Sequence, residues 1–149
     1  MTSILDPIAR SCQIFVNSAT ATYVTDATKR NSIGIILEEP IRVPEGYTAQ
    51  VSIVDAQIPV TWATLYKSIL VRSNLRSVNG HILARIPVTV ANGYLLHYFN
   101  YTNFKASIAD RTITVLELSL LYDNETDISF GAGVDWSLTF QIDYIKSHK

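Results

Sequence analysis

The chain has 149 residues with a formal net charge of −1 at pH 7; 48% of the residues are hydrophobic and only 17% are charged. This length supports one domain with one substantial core, and the apolar content excludes an intrinsically disordered chain. The near-zero net charge argues against a general binder of nucleic acids or anionic membranes, which would carry a basic excess, so no direct nucleic-acid contact is expected.

The sequence also bears on the cellular compartment in which the chain folds and on whether it spans a membrane. The only cysteine, Cys12, cannot form an intrachain disulfide, so the fold needs no oxidising compartment and folding in cytoplasm or nucleus is expected. The first residues lack the pattern of a signal peptide. No run approaches the roughly 18 uninterrupted apolar residues of a membrane helix, so we expect no membrane span.

The amino-terminal third is predicted to hold an arm and two strands. Residues 1–11 lack periodicity and are interpreted as an N-terminal arm, with a single domain over residues 12–149. Residues 13–17 are predicted to form the first strand, and residues 18–32 a loop or weak strand. The second strand is predicted over residues 33–37 and is followed by a Pro-Glu-Gly turn.

A long strand is predicted over residues 47–58, and its apolar parity changes along its length. The apolar set begins on Tyr47 and Val51 and moves to Val54 and Ile58. Such a change indicates a β-bulge or a passage between two sheets. Pro59 is expected to end the strand because proline cannot donate a ladder hydrogen bond.

The rest of the chain is predicted to continue as short strands between turns, with a connector at residues 62–67. The predicted strands share apolar alternation and bounding turn residues, and they span residues 69–75, 82–90, 94–98, 104–108, 112–122 and 128–130. Residues 77–80 are predicted to form a hairpin turn, and Pro87 indicates an edge or a bulge. Residues 112–122 change parity like the earlier long strand.

The last strand, over residues 135–145, has the clearest pattern in the chain. Five apolar residues alternate with polar ones over its length: Trp136, Leu138, Phe140, Ile142 and Tyr144. A half-buried central strand needs this period of two, whereas a helix would scatter the same side chains around its axis.

The predicted elements define the fold class as all-β. About eight to ten strands, with turn signals roughly every 8 to 12 residues, are typical of an antiparallel β-sandwich or barrel. The two parity changes favour two packed sheets over one. Within this class, a single eight-stranded jelly roll fits the length.

The sequence shows no convincing catalytic or metal site. His81, His97 and His148 have no metal-ligand spacing, and His97 is predicted to be partly buried and hydrogen-bonded. No serine lies in a Gly-x-Ser-x-Gly elbow, and Cys12 is interpreted as a small buried hydrophobe. The glycine pair at residues 131–133 is not a phosphate loop, because a strand and not a helix follows it.

Two other groups of residues have a binding and a structural interpretation. Asp123, Glu125 and Asp127 alternate like ligands of a cation loop, but the glycine and terminal glutamate of an EF-hand are missing, so a solvated turn is favoured. An aromatic cluster could stack on sugars or bases, although core or inter-subunit packing is favoured for its members. This cluster consists of Tyr94, Tyr98, Phe99 and Tyr101.

Four segments in order resemble a known family, at residues 52–59 (SIVDAQIP), 69–74 (ILVRSN), 82–88 (ILARIPV) and 134–142 (VDWSLTFQI). They are similar to the penton (minor capsid) proteins of virophages, Polinton-like viruses and related large double-stranded DNA viruses. That family has a strand ending in an acidic or amide residue, Ile and Pro, then V-R-S-N-L, I-L-A-x-I-P-V and D-W-S-L-T-L-Q strands. The family-motif residues, to which we assign a structural role, are Gln57, Ile58, Pro59, Val71, Arg72, Ser73, Asn74, Ile86, Pro87, Val88, Asp135, Trp136 and Ser137.

The resemblance covers roughly residues 33–145, and the ordered set of motifs carries it. Two departures are visible. The aromatic-rich stretch that often follows Ile-Pro in the family is reduced here to residues 60–65. The segment over residues 62–69 is also shorter than its counterpart in many members of the family. The chain therefore resembles a minimal member without an outer insertion.

The resemblance implies a jelly roll that assembles as a homopentamer at the five-fold vertices of an icosahedral virion. Its partners would be the double-jelly-roll major capsid protein and, through residues 1–11, other minor capsid proteins. No enzymatic activity, cofactor or metal is implied, and folding would take place in the host cytoplasm or nucleus. Two alternatives remain: a carbohydrate- or receptor-binding jelly roll of the lectin type, and a small jelly-roll enzyme, for which the sequence offers no cleft residues.

Overall fold

The computed structural model describes residues 8–62, 66–77, 80–131 and 133–146, with side chains from residue 11 onward. The regular structure of these residues is entirely β-strand. The strands are β1 (Ile8–Asn17), β2 (Tyr23–Val24), β3 (Ser32–Arg42), β4 (Tyr47–Pro59), β5 (Ser68–Ser77), β6 (Gly80–Pro87), β7 (Leu95–Phe99), β8 (Ala106–Ile108), β9 (Thr112–Tyr122) and β10 (Ser137–Lys146). Over this part of the chain, no helix is long and apolar enough to cross a membrane.

The strands form two antiparallel sheets with jelly-roll connectivity. The first has the order β1-β10-β4, with β7 and β8 both pairing with the far edge of β4. The second has the order β2-β3-β9-β5-β6. A single residue pair, Ser77 with Ile108, joins the two sheets. If β7 and β8 are counted as one interrupted strand, and β2 as an addition to β3, the prediction of an eight-stranded jelly roll is confirmed.

The core lies between the inner faces of the two sheets. The strands alternate as half-buried strands should, because successive side chains point to opposite faces of a sheet. The largest fully buried side chains come from both sheets: Trp136, Phe140, Ile33, Ile53, Ile58, Ile69, Leu75, Leu83, Ile86, Leu96, Leu116 and Leu118. The apolar stripe predicted for the last strand is therefore the centre of the first sheet.

The parity changes in the two long strands are confirmed. In the β4–β10 pair, Asp55 lies opposite Thr139 and Ile53 opposite Phe140, so Val54 is an inserted residue in a bulge. Ile53 and Ala56 are consequently both buried. The β3–β9 pair has a larger interruption, with residues 37–40 unpaired in β3. Bulges of this kind bend strands and let one strand follow a curved core.

The predicted boundary of the N-terminal arm is wrong. β1 begins at Ile8, which pairs with Ile145, so residues 8–11 belong to the sheet. The physical reason is that β10 extends to Lys146, and its backbone N–H and C=O groups on the side away from β4 need partners along that length. Residues 1–7, the rest of the predicted arm, lie outside the described residues.

A second correction concerns residues 128–130, which do not form a strand. Only one isolated bridge is present there, between Leu121 and Asp127. Ile128 and Phe130 are buried as anchors of a loop, and the Phe130 backbone N–H donates to Lys29 O at 2.9 Å. A short apolar run can therefore serve a loop as well as a strand. The middle of the predicted connector (residues 63–65), residues 78–79 of the hairpin turn and residue 132 lie outside the described range.

Candidate functional site: an exposed aromatic edge

The segment from residue 94 to residue 104 carries a concentration of exposed large apolar side chains. We call this surface the aromatic edge, and its members are Tyr94, Leu95, Phe99, Tyr101 and Phe104. Tyr101 is 89% exposed and Tyr94 65% exposed. Within this set the Phe99 and Tyr101 rings are in contact, with centroids 6.0 Å apart. A concentration of exposed apolar side chains is typical of a site of interaction, because such area is otherwise buried during folding.

The local structure explains why these side chains face outward. On β7, Leu96 pairs with Ile58 and points into the core, so Leu95 and His97 must point away from it. After β7, the Asn100 side chain fixes a tight loop: its Nδ2 donates to Phe104 O at 2.9 Å, and its Oδ1 accepts from the Phe104 N–H at 3.1 Å.

A cleft lies behind the aromatic edge, between β6 and β7. In the described part of the chain β6 pairs only with β5 and β7 only with β4, so each presents an open edge to this cleft. Its volume is about 480 Å³, and it is lined by Arg85, Pro87, Thr89, Leu96, His97, Tyr98, Phe99, Tyr101 and Thr102. A second cavity of about 220 Å³ shares Arg85, Tyr98 and Thr102 with it.

The cleft is basic and aromatic. Arg85 is held in place because its Nε donates to the hydroxyl of buried Ser68 at 3.0 Å. No carboxylate lines either cavity, and within the described ranges Arg85 makes no ion pair. Burial raises the pKa of the Tyr98 phenol, so this group stays protonated and available as a hydrogen-bond donor. The surface can therefore accept an apolar partner that carries negative charge.

Two sequence predictions about this surface need correction. His97 was predicted to be partly buried and hydrogen-bonded, but it is exposed. Its side chain points to the face of β7 opposite to that of the buried Leu96. Tyr94 is also exposed, so it does not pack in the core. Tyr98 is partly buried and does pack against the core. Contacts of these residues with another subunit remain a prediction.

The family-motif residues are spread over four strands and are not gathered into one site. Five of them are buried in the sandwich: Ile58, Val71, Ser73, Ile86 and Trp136. Gln57, Arg72, Asn74 and Pro87 are exposed, while Pro59, Val88, Asp135 and Ser137 are intermediate. Gln57 lies opposite Ser137 across the β4–β10 pair, and Pro87 lines the β6–β7 cleft.

The other candidate residues take part in local structure. Among the described residues no group of three or more His, Cys, Asp or Glu side chains could hold a metal ion. His81 Nδ1 lies 3.0 Å from Leu75 O, and His148 lies outside the described range. Cys12 is partly buried against the core on β1. Asp123 Oδ2 accepts from the Lys67 N–H at 3.2 Å, so this carboxylate helps to fix the loop.

Sequence reasoning missed Arg85, Leu95 and Phe104 as parts of the site. Leu95 and Phe104 flank the predicted aromatic cluster, so their apolar character was a usable signal. Arg85 gave no such signal, because it lies in an ordinary alternating strand. Its role depends on β7, which comes to face β6 only in the folded sandwich.

The fold and this surface define a jelly-roll β-sandwich with an exposed apolar edge beside a basic, aromatic cleft. No protein-family model matches the chain, and no curated protein matches it significantly.

Proposed function

We propose that the protein is a penton (minor capsid) protein, forming homopentamers that close the five-fold vertices of an icosahedral virion. The observation that carries the proposal is the aromatic edge, in which five large apolar side chains are exposed within one short segment of a jelly roll, residues 94–104. Exposed apolar area of this kind is expected of a subunit that is covered by neighbours in its assembly. The specific function is proposed from the four ordered segments that resemble motifs of the penton family.

The low charge of the chain supports an assembled state. Only 17% of its residues are charged, below the roughly 25% typical of soluble domains. A subunit surrounded by neighbours needs less charged surface, because interface cores are depleted of charged residues. In this proposal the protein is structural, without catalytic activity or cofactor, and has no direct nucleic-acid contact.

The proposal names further partners beside the homopentamer. The double-jelly-roll major capsid protein would surround the vertex, and the N-terminal residues would contact other minor capsid proteins. Of residues 1–11, to which this contact is assigned, residues 8, 10 and 11 also pair with β10 within the subunit. The location would be the capsid vertex, after folding in the host cytoplasm or nucleus.

The mass of the purified protein in solution tests the homopentamer. Native mass spectrometry should show a species near five times 16.6 kDa. The variant Phe99→Asp/Tyr101→Asp should lose it, since each substitution places a charge in the aromatic edge. The control Thr112→Asp/Thr114→Asp adds the same charge to exposed positions of β9 and should remain pentameric. A dimer or trimer of the wild-type chain would contradict the proposal.

A second candidate function is a carbohydrate- or receptor-binding module, favoured by the β6–β7 cleft. Its volume of about 480 Å³ lies within the usual range for ligand pockets, and Tyr98, Phe99 and Tyr101 supply aromatic walls. This candidate predicts glycan binding by the wild-type chain that Tyr98→Ala or Tyr101→Ala abolishes. Specific binding on a glycan array by a wild-type protein that is monomeric in solution would favour this candidate over the penton function.

A further inference from the structure

We infer that a depression on the outer face of the first sheet binds a neutral oligosaccharide. We call it the outer-face depression, and the side chains that form it are Phe15, Asn17, Asp55, Gln57, Ser137 and Thr139. None of these residues belongs to the aromatic edge or lines the β6–β7 cleft. The inference therefore goes beyond the proposed function and does not rest on it.

The pairing registers arrange these side chains in two rows that cross three strands. The rows are Phe15–Thr139–Asp55 and Asn17–Ser137–Gln57, each running from β1 through β10 to β4. Val16 on β1 and Leu138 on β10 lie between the two rows in sequence, and both are buried in the core. Since successive side chains point to opposite faces of a sheet, both rows face outward.

The depression exists because the middle strand carries the smaller side chains. Ser137 and Thr139 on β10 form its floor, and Thr139 is only 7% exposed although it points outward. Larger side chains on β1 and β4 form two walls about 10 Å apart, twice the inter-strand spacing of roughly 4.8 Å. The volume is about 340 Å³, within the usual range for ligand pockets. A small ring with polar substituents fits a space of this kind.

Phe15 supplies an apolar wall on the β1 side. Its side chain is 77% exposed, and among the described residues its ring contacts no other aromatic ring. The face of a phenyl ring is negative in its quadrupole and attracts the C–H groups of a ligand. A sugar ring presents such C–H groups on its broad faces, so it can stack on Phe15.

Two polar groups of the depression are held in place with one atom left over for a ligand. Thr139 Oγ1 donates to Asp55 Oδ1 at 2.8 Å, which orients the carboxylate and leaves Oδ2 as an acceptor. Asn17 Oδ1 accepts from the Ala19 N–H at 2.9 Å, which orients the amide and leaves Nδ2 as a donor. Within the described ranges, no side chain or backbone group bonds to either remaining atom.

Gln57 and Ser137, which lie opposite each other, add groups that both donate and accept. Neither side chain makes a hydrogen bond to another described residue. An amide has an acceptor oxygen and a donor nitrogen, and a hydroxyl can act in either way. Neighbouring hydroxyls of a sugar also donate and accept, so they complement this mixed set of groups.

The charge of the depression selects a neutral ligand. Among the described residues that line it, Asp55 is the one charged side chain, and no Lys or Arg is present to bind an anion. One carboxylate is also too few for a metal ion, and the described residues contain no cluster that could hold one. A protein partner would need an apolar interface core, whereas here polar groups surround a single phenyl ring. An uncharged chain of sugars satisfies both the ring and the polar groups.

Saturation-transfer NMR of the full chain with neutral trisaccharides tests the inference. The panel contains cellotriose, maltotriose, mannotriose and triacetylchitotriose, each titrated to millimolar concentration. At least one should bind, and Phe15→Ala or Gln57→Ala should each weaken it by about 10-fold or more, because a stacking contact or a hydrogen bond is lost. Circular dichroism confirms that the variants fold.

Two matched controls should bind like the wild type. Ile36→Ala removes another exposed apolar side chain, from β3 in the second sheet. Gln50→Ala removes another amide from β4, at a position opposite Asp143 and outside the depression. A loss of binding in either control that equals the loss in Phe15→Ala would overturn the assignment of the site.

Three further outcomes would overturn the inference. They are the absence of binding to every trisaccharide of the panel, stronger binding of a sialylated trisaccharide or a single-stranded oligonucleotide than of any neutral sugar, and binding that Tyr98→Ala abolishes while Phe15→Ala leaves it intact. The last result would place the sugar in the β6–β7 cleft.

The inference and the proposed function fail in different ways. A pentamer that binds no neutral trisaccharide would contradict the sugar site and leave the penton function supported. A dimer or trimer that binds through Phe15 and Gln57 would support the sugar site and contradict the homopentamer.

Discussion

Arg30 and Asp135, 105 residues apart in sequence, form a charged hydrogen bond in which Arg30 Nη2 donates to Asp135 Oδ1 at 2.8 Å. The Ser18 hydroxyl donates to the same oxygen at 2.9 Å. Next to it, Trp136 Nε1 donates to Arg30 O at 2.9 Å, so the buried indole is held by the same loop. These bonds fasten the turn after β1, at Ser18, and the loop between β2 and β3, at Arg30, to the residues just before β10.

The first prediction concerns the pH dependence of stability at this contact. The hydrogen bond from Arg30, with that from Ser18, holds the pKa of Asp135 below its ordinary value of 3.8. A carboxyl whose pKa is lowered by folding stabilises the native state above its unfolded pKa, and this stability is lost as pH falls through the folded pKa. Asp135→Asn should therefore lower the free energy of unfolding at pH 7 by about 1 kcal/mol, since the pair is partly exposed.

Urea denaturation between pH 7 and pH 2 measures this effect. The difference between wild type and Asp135→Asn should shrink below pH 4 and disappear at the acid end. Glu45→Gln, at an exposed turn, serves as the comparison and should change the free energy of unfolding little at any pH. A difference that persists unchanged at pH 2 would show that the charge of Asp135 does not matter for stability.

The second prediction concerns a buried charge on the first sheet. Asp143 is only 1% exposed, and its Oδ2 accepts no well-formed hydrogen bond but lies 2.7 Å from Lys105 Nζ. Lys105→Met should cost about 3 kcal/mol in the free energy of unfolding, because it leaves a buried carboxylate without its counter-ion.

Adding Asp143→Asn to Lys105→Met should recover most of this loss, since the double variant buries no charge. Lys146→Met, at an exposed position of β10, should leave the free energy of unfolding within about 0.5 kcal/mol of wild type. Equal losses for Lys105→Met and Lys146→Met would contradict the role assigned to the ion pair.

The third prediction concerns Gly34, which lies opposite Tyr23 in the β2–β3 pair. A Cβ at this position would overlap the Tyr23 ring, so Gly34→Ala must displace the tyrosine. The displacement would also break the hydrogen bond between the Tyr23 phenol and Glu117, which contributes, after burial, to raising the pKa of that phenol. We expect a cost of about 1–2 kcal/mol.

A double-mutant cycle checks this explanation. In a Tyr23→Ala background, Gly34→Ala should be close to neutral, because the ring that it would meet is gone. An additive loss in the double variant would mean that the backbone, and not the tyrosine, requires glycine. Chemical denaturation of the four proteins gives the coupling energy.

The fourth prediction concerns Asn74, where the pairing of β5 with β9 stops. The last paired residues are Ser73 and Leu118. Beyond them, Asn74 Nδ2 donates to Val115 O at 2.8 Å and its Oδ1 accepts from the Glu117 N–H at 2.9 Å, so the side chain continues the ladder. Asn74→Ala should cost about 1–2 kcal/mol by leaving two backbone groups without partners.

Thermal unfolding measures the loss of stability, and hydrogen exchange of the Glu117 amide measures the loss of its hydrogen bond to Asn74. Its protection should fall in Asn74→Ala. Arg72→Ala, exposed on the same strand, should change neither quantity. Unaltered protection of Glu117 in Asn74→Ala would exclude the bridging role.

Local sequence patterns were sufficient to predict the class of fold. The alternation around Phe140 predicted a half-buried strand, and the parity changes near Val54 and Leu116 predicted interruptions that the structure contains. These features depend on the pleat of a single strand, which places alternate side chains on opposite faces whatever its neighbours are. The run at residues 128–130 misled because its two apolar residues, Ile128 and Phe130, can anchor a loop equally well.

The candidate site was predictable only in part. The aromatic cluster at residues 94–101 was visible in the sequence, whereas its exposure and its basic neighbour Arg85 were not. Exposure depends on which face of a strand is turned toward the other sheet, and that is decided by pairing between distant segments. The start of β1 at Ile8 was missed for the same reason, since the length of β10 sets it.

The sequence by itself determined that the chain forms alternating, two-faced strands around one apolar core, because the period of its apolar residues is a local property. Only the tertiary structure decided which strands became edges, which charges met, and where Asp143 could be buried. Those outcomes depend on contacts between residues such as Arg30 and Asp135, whose distance along the chain hides them from any local pattern.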